Sequence, residues 1–275
     1  MNKLLQPNEL VDHAITLFDQ YIADLAKKSA GTDFNESYYL KHRDRFKATL
    51  ALLPTAEGTG ASVLELGATD FFQVVLRYIF GYSKVYGTQF SSRIEEKLYQ
   101  KELSICDFSS TNLTFSVNLE QELLPIPDST IDTVMCCEVL EHMDIDPMFM
   151  LSELNRVCKI GGSLVLTTPN CCSARNFWKI AQGHRPHFFM QYELSRSPYR
   201  HNIEWDVHAV AQLSRAAGFD PVILETMDVF EAPVPQAISF LKKHNLETAH
   251  RGDGIFLLAK KVSPVVDRWP VGIYV

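Results

Sequence analysis

The sequence has no apolar run approaching the about 18 residues that a helix needs to cross a bilayer, and its N-terminus lacks a basic stretch followed by an apolar core. Both absences lead to the expectation of a soluble, cytoplasmic protein without membrane insertion. Basic residues are in short supply: 26 Lys and Arg stand against 33 Asp and Glu, a net charge of -7 and a pI near 5.7. Phosphate recognition needs a dense Lys and Arg surface, so a broad nucleic-acid face is not expected. None of the six cysteines shows a C-x-x-C spacing, which speaks against structural zinc or a disulfide framework and for reduced, mostly buried thiols. Internal repeats and low-complexity tracts are missing too. What remains is a chain of 275 residues, 46% hydrophobic, enough for one α/β domain with an elaboration.

The most informative stretch is 124–170. It reads LPIPDSTIDTVMCCEVLEHM, then a helical segment, then ELNRVCKIGGSLVLTTPN. Residues 131–136 have the β-branched, apolar character of a strand buried on both faces, and 164–168 repeat it after a Gly161-Gly162 turn. Between them Met148, Leu151, Leu154, Val157 and Cys158 fall at helical spacing. A strand, helix, strand crossover of this kind implies a parallel sheet. Upstream, Pro7 opens a helix with an apolar face out to Lys28, and a second helix is expected over 37–53, carrying Tyr38, Tyr39, His42 and Arg45. Downstream, Asp206 is placed to cap a helix over 207–217, with Gly218 as its stop and strands at 219–225 and 254–259.

The LPIPD run, the EVLEH element and the RVCKIGG turn, in that order, resemble class I S-adenosyl-L-methionine (SAM) dependent methyltransferases over roughly 61–260. The resemblance implies a Rossmann-like α/β fold: a seven-stranded methyltransferase sheet with helices on both faces, N-terminal helices over 1–60 and a small cap over 171–200 after the fifth strand. The methyltransferase domain would cover 61–262 and a tail 263–275. It also implies a SAM site across the carboxyl ends of the strands. Glu65, Gly67, Ala68, Thr69 and Asp70 stand at the first strand and its loop, Gln89 and Phe90 at the ribose position, and Asn118 and Leu119 at adenine. Tyr39 and Arg45, in the N-terminal segment, are expected over the cofactor.

Three of these positions depart from the family's pattern. Thr69 and Phe71 replace two glycines of the loop. Thr69 still has an N–H and a hydroxyl to offer a carboxylate, whereas Phe71 forces the chain to leave the cofactor sooner or to pack differently. Gln89 stands where an acidic residue usually accepts from both ribose hydroxyls; a neutral amide oxygen carries part of that load. The three changes are compatible with a variant cofactor site and with a fold that kept its shape and lost the cofactor.

On a helix, Glu138, Glu141 and His142 would converge on one face. The E-x-x-E-H element, with His201 shortly before Glu204-Trp205, resembles the metal pattern of small-RNA terminal 2′-O-methyltransferases. By that resemblance Glu138, Glu141, His142 and His201 would hold one Mg²⁺ or Mn²⁺, with Glu138, His142 and His201 acting in catalysis. A hydroxyl acceptor needs such help: with water's pKa of about 15.7 as stand-in, full proton transfer to an imidazole of pKa about 6.5 is uphill by about 12 kcal/mol. Concerted transfer to His142, His201 or His208 is the metal-free alternative, and a purely structural role for EVLEH is the third.

Aromatic residues interleaved with Arg over 171–200 suit a sugar ring or a phosphate, giving Trp178, Arg185, His187, Tyr192 and Tyr199 as expected substrate contacts; a dimer contact or a plain lid fits them as well. The Arg268-Trp269-Pro270 and Tyr274 ending resembles bacterial polysaccharide and sugar methyltransferases. The expected activity is O-methylation of a sugar, glycan or related small molecule. A non-catalytic binding protein and an RNA 2′-O-methyltransferase are the rivals, and the oligomeric state is not readable.

Overall fold

Strands rich in Val, Ile and Leu and buried on both faces form the centre of the molecule, seen here in a computed structural model that describes residues 8–28, 36–90, 97–186 and 200–274. The strands are β1 (Ser62–Glu65), β2 (Lys84–Gln89), β3 (Leu98–Ile105), β4 (Phe108–Ser116), β5 (Ile131–Cys137), β6 (Cys158–Pro169), β7 (Phe219–Met227) and β8 (Gly254–Lys261). They form one eight-stranded sheet in the order β3-β4-β2-β1-β5-β6-β8-β7. β5 lies between β1 and β6, parallel to both; β3 and β8 run antiparallel to their neighbours. The expected count was seven. The eighth is β3, a polar-faced strand that hairpins onto β4.

Side chains along each strand point alternately to two apolar layers. Leu64, Val134, Leu164 and Leu257 enter one, with helices α5 (Pro147–Val157) and α7 (Val207–Ala216); Val63, Met135, Val165 and Leu258 enter the other, with α1 (Asn8–Lys28), α3 (Arg43–Leu52) and α4 (Asp70–Tyr78). Full burial of each such side chain contributes about 1.5–3 kcal/mol.

The helix ends follow local chemistry. Asp206 caps α7 by accepting from the His208 and Ala209 N–H groups, as its place in the sequence implied. Asp146 caps α5 in the same way, with Pro147 in the first turn. Helix 37–53 is interrupted: a short α2 (Glu36–Lys41) and α3 meet at His42, whose φ of -94° and ψ of 4° break the helical run. Pro7 lies outside the described residues. The Gly161-Gly162 turn sits inside β6, where it makes a bulge against β5; a Cβ on Gly162 would come within 2.8 Å of the Lys159 carbonyl. Helices α6 (Ala174–Ala181) and α8 (Pro235–Lys243) pack on each other beyond β6 and β7, and Phe177 meets Phe240 there at 5.7 Å. Among the described residues no helix is long and apolar enough to cross a membrane.

Candidate active site

At the carboxyl end of β1 the chain turns through Gly67, φ +61°, a left-handed conformation that suits glycine. The loop's amides are spent inwards: Gly67 N–H donates to Thr88 Oγ1 (3.2 Å) and Ala68 N–H to the Thr88 carbonyl (2.8 Å). Thr69 offers nothing outwards either. Its N–H and hydroxyl both donate to Glu65 Oε1 (3.0 and 3.2 Å), and its Oγ1 caps α4 by accepting from Phe72 N–H. Glu65 is buried, its other oxygen accepts from Gln73 Nε2 at 2.8 Å, and burial pushes its pKa up to about 7. It therefore shapes the loop from beneath.

Phe71, where the family has a glycine, turns away from the loop altogether. It lies in the first turn of α4 and packs against Phe18, Phe46 and Phe72, with centroids 5.0–5.7 Å apart. Asp70, at the start of the same helix, pairs with Lys101 at 2.7 Å.

Further along the edge, Gln89 is held at both ends of its amide. Oε1 accepts from Tyr99 Oη at 2.8 Å, and Nε2 donates to the Ala68 carbonyl at 3.4 Å. Phe90 beside it is exposed. Asn118 follows β4 in a tight turn, its Oδ1 accepting from Glu120 N–H and its own N–H donating to Glu122; Leu119 packs against the core. Glu120 in turn accepts the amides of Asp144, Ile145 and Asp146, tying this turn to the start of α5.

After β5 the expected helix over 138–142 is absent. Glu138 has a φ of +54°, and only Leu140–His142 form a single 3₁₀ turn. The positive φ rotates Glu138 out of helical phase with the two residues it was expected to join. Its carboxylate accepts from Thr167 Oγ1 (2.8 Å) and faces Arg45 Nη1 (3.7 Å). Glu141, His142 and His201 do converge, with one ligating atom from each lying within 4.8 Å of the others. Both imidazole Nε2 atoms stand 3.9 Å from Glu141 Oε1. That oxygen is buried without a hydrogen-bond partner, while Oε2 accepts from Thr168 Oγ1 at 3.0 Å. Burial, with Glu138 nearby, pushes the Glu141 carboxyl well above its ordinary range; burial also lowers His142, reinforced by His201.

With this geometry in view, the methyltransferase-domain family profile matches residues 39–224. The chain belongs to the class I SAM-dependent methyltransferases. No match is found among curated proteins. In solved structures the methyltransferase is similar to a SAM-dependent methyltransferase from Mesorhizobium loti, at 15% identity over 79% of this chain and 97% of that one, TM-score 0.51. A SAM-dependent methyltransferase from Archaeoglobus fulgidus matches at 17% identity over 88% and 100%, TM-score 0.51. A chain of the complex between the Haloferax volcanii Trm112 methyltransferase activator and a protein described as a methyltransferase matches at 17% over 90% and 98%, TM-score 0.52. At these identities the likeness concerns the fold.

The methyltransferase's own residues fit SAM at one telling place. Arg45, on α3, borders the cleft over Gly67, Glu65, Thr69 and Cys137, and its Nε is buried without a hydrogen-bond partner. An orphaned guanidinium donor beside a loop whose Gly67, Ala68 and Thr69 amides are spent has the chemistry to receive a carboxylate. Tyr39 is half-buried nearby, and burial, then Tyr38, then Asp70 push its phenol up.

Of the expected substrate contacts, Trp178 is half-buried on α6 and Arg185 is exposed just beyond it; His187, Tyr192 and Tyr199 lie outside the described residues. His208 is exposed in the first turn of α7. Sequence reasoning gave no role to Glu204, whose Oε1 meets His201 Nδ1 at 3.0 Å, or to Tyr99. The signal for Glu204 was its three-residue spacing from His201. Tyr99 carried none, because its strand was unforeseen.

Proposed function

We propose that this methyltransferase transfers the methyl group of SAM to a hydroxyl of a sugar, glycan or related small molecule, with one divalent cation on Glu141, His142 and His201. The observation that carries the reading is the pair of imidazole orientations. His142 Nδ1 faces the Arg200 carbonyl at 3.1 Å and His201 Nδ1 faces the Glu204 carboxylate. Both partners are acceptors, so each ring keeps its proton on Nδ1 and turns the Nε2 lone pair towards Glu141 Oε1. Each Nε2 lies 3.9 Å from Glu141 Oε1, a spacing that a cation ligated by all three would fill, and outer partners of this kind typically orient metal-binding histidines.

Two imidazoles and one carboxylate suit Mn²⁺ better than Mg²⁺. When bound, the cation lowers the pKa of a hydroxyl that reaches it. The remaining work falls to the chain. Arg45 holds the methionine carboxylate, with Glu138 steadying its guanidinium from 3.7 Å; Gly67 lets the loop come close; Gln89 meets the ribose; Asn118 and Leu119 flank adenine. Residues 61–262 form the catalytic domain in this reading. The segment 171–200 is its acceptor cap, contributing Trp178 and Arg185 as well as His187, Tyr192 and Tyr199.

The test is transfer of labelled methyl from SAM to a panel of mono- and oligosaccharides, after chelation and again after addition of Mn²⁺. Transfer that stops on chelation, returns with Mn²⁺ and fails to return in Glu141→Gln supports the reading. Undiminished transfer by chelated protein carrying His201→Ala would sink it.

A further inference from the structure

We infer that Tyr99, delivered by the antiparallel edge strand β3, shares with Gln89 the binding of the cofactor's two ribose hydroxyls, restoring the second acceptor oxygen lost with the acidic side chain. The inference rests on the SAM site proposed above.

The placement follows from topology. β3 runs antiparallel to β4, with Leu98 opposite Phe115 and Ile105 opposite Phe108. Its N-terminal half therefore lies at the carboxyl ends of β4 and β2, where Gln89 pairs with Ser116. Leu103 and Ile105 are buried in the apolar layer that holds α4. By the two-residue alternation Lys101 and Tyr99 face the same way. Lys101 fastens the strand to the first residue of α4 through Asp70, and Tyr99 reaches the end of β2.

The chemistry follows from counting donors and acceptors. A carboxylate at position 89 would present two oxygens to two ribose hydroxyls; an amide presents one. The Ala68 carbonyl opposite Nε2 fixes which end of the Gln89 amide is which, so Oε1 is the atom that meets Tyr99. The phenol's single proton is thereby committed to Gln89, and its oxygen can only accept from anything that approaches. Gln89 Oε1 keeps a second lone pair. Two acceptor oxygens 2.8 Å apart, one on each side chain, stand where one carboxylate would supply both.

Calorimetric titration with S-adenosylhomocysteine and with its 2′-deoxy and 3′-deoxy analogues tests this, with thermal melting as the check on folding. Tyr99→Phe should bind S-adenosylhomocysteine about tenfold more weakly than the unaltered protein. The penalty should shrink towards nothing for the analogue lacking the hydroxyl that Tyr99 accepts from. Adding Gln89→Glu to Tyr99→Phe should recover the lost affinity, since the carboxylate brings its own second oxygen. An unchanged affinity, or an equal loss for all three ligands with no recovery by Gln89→Glu, overturns the inference and leaves the cofactor reading standing. Failure of the unaltered, folded protein to bind S-adenosylhomocysteine overturns the cofactor reading itself, and the role of Tyr99 with it.

Discussion

Glu138 decides how the EVLEH element is used. A helix through 138–142 would have grouped it with Glu141 and His142, and residue spacing alone favoured that grouping. One left-handed residue, φ +54°, sends Glu138 to Arg45 and leaves a three-membered cluster. Neither a φ value nor the direction of a ring nitrogen is written in residue order. The two carboxylates thus separate by role: Glu141→Gln is expected to abolish Mn²⁺ binding measured by calorimetry, whereas Glu138→Gln should retain it and weaken S-adenosylhomocysteine through Arg45. Equal Mn²⁺ loss in both would contradict the geometry. His42 gives a second prediction. It is 5% exposed with an unpartnered Nδ1, and burial, then Arg45 and Lys41, push it down to about 4. The unfolded chain takes up that proton near pH 6.5 and the folded one does not. Stability is therefore unaffected above pH 6.5 and falls by about 3 kcal/mol as pH drops from 6.5 to 4. Melting curves across that range should show a shallower decline for His42→Gln; parallel declines would refute the assignment.

Among the secondary-structure elements, those with strong apolar periodicity were readable from the sequence: the β5, α5, β6 crossover, α7 with its Asp206 cap, and the last two strands. β3 was not, because Gln100, Glu102 and Ser104 alternate with its inward residues and only Leu103 and Ile105 are buried. Its pairing with β4 and its contact with α4 hold it in place, and neither is local. The glycine-poor loop is likewise explained by an element. α4 begins at Asp70, capped by Thr69, so Phe71 belongs to the helix interface with α1 and α3. Phe71→Gly, which restores the family's residue, should cost about 3–5 kcal/mol and bring no gain in cofactor affinity. A stable Phe71→Gly protein with tighter S-adenosylhomocysteine binding would show that the residue obstructs the site.

At the scale of the whole molecule the tail closes the structure over α5. Arg268 and the Tyr274 hydroxyl both engage the Asp146 carboxylate, and Tyr274 Oη also accepts from Met148 N–H at 2.9 Å. Arg268→Ala is expected to cost about 2 kcal/mol and to lower Tm by about 5 °C, with an unchanged Tm as the contrary result. Through Glu120, which grips Asp144, Ile145 and Asp146, the tail connects to the turn carrying Asn118 and Leu119. In the proposed cofactor cleft the Gly67, Ala68 and Thr69 amides are turned inwards and Arg45 Nε is the donor without a hydrogen-bond partner. Calorimetric titration of the purified protein with S-adenosylhomocysteine tests that most directly, alongside Arg45→Met. Micromolar or tighter binding, weakened at least tenfold in Arg45→Met, is the predicted result. No binding by demonstrably folded protein would contradict it and leave a methyltransferase fold without its cofactor.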